Sequence, residues 1–122
     1  MIIPCIKSDD QGRSYFTTLD IVQTGSPRRV SAKNQDVLYW MMSESKPGYT
    51  VDFQPSPDAK ILAIFSGQMN LTVSNGECRS FVRGDMVALH DMSGQGHIMN
   101  IVGLEACSYL TIAMPGKGEL KS

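Results

Sequence analysis

Histidine, paired cysteines, long apolar runs and any excess of charge are all scarce in this chain. Its 122 residues include two histidines, one tryptophan and three cysteines. No apolar run approaches the ~18 residues of a membrane-spanning helix. Lys and Arg nearly balance Asp and Glu, at a net charge of −1, so there is no electrostatic footprint for nucleic acid or for an anionic membrane. The basic doublet Arg28-Arg29 reads as a solvated turn. The start of the chain lacks a basic region followed by a long apolar stretch, so no secretory leader is expected. Cys5, Cys78 and Cys107 are odd in number and far apart, which suits a reducing cytoplasm better than a disulfide framework. No cue marks an activating base for any of them, and Cys107, inside an apolar run, is expected to be a buried small hydrophobe.

Helical periodicity is also missing, apart from one candidate turn over residues 32–36. What is present has a period of two. Residues 61–65 (Ile-Leu-Ala-Ile-Phe) form a continuous apolar run of strand length that ends at Ser66-Gly67. Met69, Leu71 and Val73 then alternate with Gln68, Asn70, Thr72 and Ser74, one face dry and one wet. Asn75-Gly76 signals a hairpin through a two-residue turn with positive φ. Residues 77–81 return, Arg83-Gly84-Asp85 turns the chain into 86–89, and the glycine-rich loop 93–96 precedes strands over 98–102 and 106–114. Residues 16–22, 37–42 and 50–53 are further strand candidates. Many short strands separated by regular turn signals imply an all-β sandwich or barrel. The length fits a single domain, 1–122, with a core that needs no covalent staples and a tail, 115–122, that is expected to be loose.

The order Ser66-Gly67, Asn75-Gly76-Glu77, Gly84-Asp85, Asp91, Gly94-Gln95-Gly96-His97 resembles the small single-domain cupins over about residues 52–103. The opening 9–16 (Asp-Asp-Gln-Gly-Arg-Ser-Tyr-Phe) is similar to the N-terminal strand of the same group. The resemblance implies a double-stranded β-helix, or jelly-roll, barrel. It also implies where a metal would sit in metal-dependent members: a first motif within 52–60, and His97 in the second. In relatives a histidine commonly stands where this chain has Gln54, a glutamine where it has Lys60, and a histidine where it has Tyr15. A neutral amide oxygen is a poor ligand for a transition metal and an ammonium repels one. His97, with His90 seven residues earlier, falls short of a three- or four-ligand set. Asp58, Asp85 and Asp91 are oxygen ligands in principle, but Asp85 and Asp91 have turn-forming roles to explain them. No tightly bound catalytic metal is therefore expected.

These residues frame the functional expectation: a barrel that binds a small organic molecule. Two enzymatic alternatives stand beside it. One is a cofactor-free isomerase, cyclase or lyase with His97 as acid and base and Lys60 holding an anion or enolate. The other is a metal-dependent cupin with His97 as ligand. Gln54, Tyr15 and Tyr109 are candidate hydrogen-bonding groups for the ligand. Met69, Met86 and Met99, on strand positions, are candidate apolar lining, although methionine also fills cores. Trp40 is expected to pack a barrel end or a subunit contact. Residues 1–6 are an apolar candidate edge strand for a homodimer, since such an edge is otherwise an aggregation hazard. Without a basic or DNA-binding segment the chain is not expected to regulate transcription itself.

Overall fold

The computed structural model describes residues 1–115, so the tail expected at 115–122 lies outside the described residues except for Pro115. Twelve strands make up the described chain and no helix occurs in it. They are β1 (Ile2–Ser8), β2 (Ser14–Asp20), β3 (Thr24–Ser26), β4 (Arg29–Ser31), β5 (Tyr39–Ser45), β6 (Thr50–Gln54), β7 (Lys60–Ser66), β8 (Gln68–Thr72), β9 (Cys78–Val82), β10 (Met86–His90), β11 (His97–Val102) and β12 (Cys107–Ala113). A six-stranded sheet, β2-β1-β10-β7-β12-β5, faces a four-stranded one, β6-β11-β8-β9, and β3-β4 form a separate hairpin. Only the β1–β10 pairing is parallel.

The period-two pattern sets which side chains meet. On β7, Leu62 and Ile64 are buried; on β8, Met69 and Leu71; on β12, Tyr109, Thr111 and Ala113. These inward rows interlock with Ile6, Phe81, Val87 and Ile101 to fill the space between the sheets. Met69 is fully buried in that cluster, and burying a side chain of its size contributes ~1.5–3 kcal/mol. Outward-facing residues of the six-stranded sheet form a second cluster around Ile3, Cys5, Leu19, Ala88 and Met114. Cys107 is fully buried, and burial pushes its thiol pKa up, which leaves it inert at neutral pH.

Four local expectations are corrected. Residues 32–36 carry no helical turn. The Asn75-Gly76 hairpin exists, but Asn75 keeps a negative φ, and Gly76 alone has φ +89°. Val73 N–H donates to Glu77 O and Gly76 N–H to Val73 O, so the loop has three residues, with the glycine in the left-handed position that follows a type I turn. Residues 1–6 do not form an edge: β1 lies between β2 and β10. The six-stranded sheet instead ends at β2 and at β5, where Trp40, at 69% exposure, and Met42 stand out from the surface. Last, Asp91 has a role beyond turn formation, which the site geometry makes plain.

The glycine-rich loop is held by close backbone contact. Gly94 packs on Gly12, and Gln95 N–H donates to Gly12 O at 2.8 Å. Ser14 Oγ donates to Gly96 O at 2.6 Å. Gly96 has φ +75°, and a Cβ there would lie 2.1 Å from the carbonyl of Gln54. Gly76, at φ +89°, has open space where its Cβ would go. Gly76→Ala should therefore cost only the left-handed penalty of about 1 kcal/mol. Gly96→Ala must also displace backbone and should cost about 3 kcal/mol or more. Urea-unfolding midpoints of the two variants check this, and equal losses would contradict it.

Candidate functional site

A cavity of about 350 Å³ opens between the two sheets at the end of the barrel where β6 and β11 begin to part from β7 and β12. Its floor and walls include Leu62, Leu89, Val51, Met41 and Met99. Its polar lining comes from both sheets. Lys60, Tyr109 and Thr111 project from β7 and β12, while Gln54 and His97 stand opposite on β6 and β11.

Register explains the convergence. Lys60 lies two residues before the buried Leu62 and pairs with the buried Leu89, so strand alternation turns its stem into the barrel. Thr111 pairs with Leu62 and is 4% exposed. His97 pairs with Gln54, and Gly96 sets that pairing by its contact with the Gln54 backbone.

Behind His97 stands Asp91, fully buried, with its Oδ2 at 2.5 Å from His97 Nδ1. The His97 side chain is 12% exposed. With Asp91 ionised, Nδ1 carries the proton and donates it to the carboxylate, which leaves Nε2 as the basic nitrogen. Asp91 Oδ1 is buried with no hydrogen-bond partner among the described residues. The main chain of Asp91 is fixed as well, since Ser56 N–H donates to its carbonyl at 3.0 Å. This is the arrangement that orients an imidazole for proton transfer.

The sequence-predicted residues divide cleanly. Gln54, Lys60, His97, Met99 and Tyr109 line one cavity. Tyr15 does not: it is exposed on β2, beside Lys7 of β1. Met69 belongs to the core. Met86 borders a separate pocket with Ile2, Pro4 and Arg79. Strand parity explains the last two, because a methionine on a strand is as easily aimed at the core as at a ligand. His90 is buried at the end of β10. Asp85 stabilises its turn, with Oδ2 accepting from Val82 N–H at 2.8 Å.

Asp91 and Thr111 carry more weight than the sequence suggested. Asp91 stands six residues before His97, and only the folded loop brings their side chains together. Thr111 was hidden in an apolar run, yet a polar residue on the inward parity of a buried strand is a signal that sequence does contain.

Among the described residues, no three His, Cys, Asp or Glu side chains are grouped to hold a metal ion. The cavity presents one imidazole, an amide, hydroxyls and an ammonium. That donor set does not fit a resident transition metal, because a single imidazole beside a neutral amide falls short of a ligand set and the ammonium repels a cation. No helix in the described residues is long and apolar enough to cross a membrane.

No family model and no curated protein matches the chain. Solved structures do. An RmlC-like cupin with a double-stranded β-helix from Methanocaldococcus jannaschii aligns with a TM-score of 0.57, at 13% identity over 81% of this chain and 94% of that one. A cupin domain from Bordetella pertussis aligns over 94% of both chains, with a TM-score of 0.51 and 11% identity. A Cupin 2 conserved barrel domain protein from Salinispora arenicola shares 23% identity over 64% of each chain, with a TM-score of 0.50. At such identities a likeness speaks for architecture alone, and the architecture is the double-stranded β-helix barrel of the RmlC-like cupins.

Proposed function

We propose that this chain binds a small organic molecule in the cavity between its two sheets. One observation carries the reading: polar groups from both sheets, Lys60 and Thr111 on one side and His97 and Gln54 on the other, converge on one space that Leu62, Leu89, Val51 and Met99 also line. A concave apolar site with a few convergent polar groups is the usual form of a small-molecule site.

A second reading, catalysis without a cofactor, is favoured by the contact between Asp91 and His97. Asp91 positions the ring and stabilises the imidazolium that forms when Nε2 takes a proton. A base so oriented suits an isomerase, cyclase or lyase that removes a proton from a weakly acidic carbon and returns it elsewhere. His97 is the group that touches the ligand; Asp91 acts through it.

Two measurements test these readings. For binding, a small-molecule screen by thermal stabilisation should find ligands whose effect is lost when the cavity is filled by Thr111→Phe; ligands unaffected by that change would place the site elsewhere. For proton transfer, ¹H–¹⁵N spectra at pH 7.5 should show His97 with Nδ1 protonated and Nε2 bare, and Asp91→Asn should redistribute the tautomers. Once a substrate is in hand, Asp91→Asn should lower kcat by about 100-fold or more. A wild-type ring protonated at Nε2 alone would rule out the orientation assigned to Asp91.

A further inference from the structure

We infer that the ligand of this cavity is a small carboxylate, held at its charged end by Lys60 and Thr111. This rests on the binding reading above and specifies its chemistry. Lys60 is the one permanent cation in the cavity lining, which contains no Asp, Glu or Arg. Among the described residues no carboxylate lies within ion-pair distance of it. A half-buried ammonium without a counter-charge is costly, and an anionic ligand removes that cost by forming a charge-assisted hydrogen bond.

Thr111 supplies the second contact. The residue is 4% exposed and lines the cavity. Lys60 pairs with Ala113, and Thr111 with Leu62. Lys60 and Thr111 are thus diagonal neighbours on the inner face of β7 and β12, about 7–8 Å apart at the backbone, which is close enough to share one carboxylate. Of the other lining hydroxyls, Tyr109 Oη lies 3.2 Å from Ser45 Oγ and Ser56 Oγ donates to Asp58 O, while that of Tyr49 is on an exposed residue.

Charge also sets the ligand's direction. The negative Asp91 lies behind His97, so an anionic end is repelled from the β11 side and drawn to the β7 side. The neutral remainder of the ligand then meets His97 Nε2 and the Gln54 amide. One ammonium and one hydroxyl match a monoanion better than a phosphoryl dianion, since the lining has neither an arginine nor a helix N-terminus to neutralise a second charge.

The test compares matched pairs, benzoate with benzamide and lactate with lactamide, by titration calorimetry and by His97 ring chemical shifts. Each acid should bind at least tenfold more tightly than its amide and move the His97 signals. Lys60→Met should abolish that preference and Lys60→Arg should retain it. If acid and amide bind alike, or Lys60→Met keeps the preference, the carboxylate assignment fails while the binding reading stands. Tighter binding of phenylphosphonate than of benzoate would overturn the assignment in favour of a phosphoryl group. If none of these compounds moves the His97 signals, the binding reading falls with it.

A separate observation concerns β5. This strand is bonded to β12 on one side only, and its outer face, with Val37, Leu110 and Ile112, makes an entirely apolar depression around Trp40 and Met42. From Val37 to Ser43 there is no charge; Glu44 follows within β5, and Asp36 and Lys46 lie outside its ends. We propose that the occupant is a second copy of this chain, paired β5 to β5 about a two-fold axis. Such pairing keeps outer face beside outer face, so the paired residue numbers share parity. Charge then selects among registers. Centred on Trp40, Asp36 would oppose Glu44, acid against acid. Centred on Met42, Trp40 would oppose Glu44. Centred on Met41, Trp40 opposes Met42 and Asp36 opposes Lys46, an apolar pair and an ion pair, each made twice.

Sedimentation equilibrium at micromolar concentration should find a dimer. Asp36→Lys should weaken it at least tenfold, and the exchange Asp36→Lys with Lys46→Asp should restore it. A monomeric wild type, or a dimer indifferent to Asp36→Lys, would overturn the proposal.

Discussion

The approach of Gly96 to the backbone of Gln54 is the constraint on which the site depends. No side chain fits there, because a Cβ on Gly96 would overlap the Gln54 carbonyl and the Pro55 nitrogen. The contact ties the loop between β10 and β11 to the end of β6, and it fixes the first residue of β11 opposite Gln54. Ser14 and Gly12 hold the same loop from the other side. Two segments distant in sequence thus clamp the loop that precedes His97. The imidazole inherits its position from backbone packing, and with Nδ1 bonded to Asp91 its Nε2 is left to face the cavity.

Electrostatic cost runs through the same region. A fully buried carboxylate is unfavourable unless it is paired, and Asp91 has His97 on one oxygen only. Lys60 enters the barrel from β7 with no carboxylate beside it among the described residues. Stability alone would favour an apolar residue at either position. Lys60 on one wall and the Asp91 carboxylate behind the His97 of the other instead create a field across the cavity. A ligand that carries its charge at one end is oriented by that field, and the imidazole lies at the other end. The rest of the barrel can bear these groups because its core is dense and apolar, with Ile6, Ile64, Leu71 and Val87 closed to solvent.

Most of the fold was legible in the sequence, because strand parity and glycine turns are local signals. The alternation over 68–74 and the apolar run 61–65 correspond to β8 and β7, and Gly84 does mark a turn. The errors are those of context. Asn75-Gly76 named a hairpin, yet the loop took three residues instead of two. The apolar start suggested an edge, but apolarity also suits a strand covered on both faces, which is what β1 is. The site was half legible. His97, Lys60 and Gln54 came from motif position, whereas Tyr15 and Met69 show that motif position or strand membership does not say which way a side chain ends up facing.

By itself, the sequence determined the all-β architecture and the turn positions, since each is written in residues near one another in the chain. Only the tertiary structure decided that Asp91 backs His97, that Thr111 joins Lys60 on one wall, and that β5 rather than β1 is left at an edge. Those outcomes depend on register between strands far apart in sequence, and on a loop packed against two others. A shift of one residue in any of these pairings would turn every inward side chain of a strand outward. The residues were present in the string, but their meeting was set by the way the sheets close.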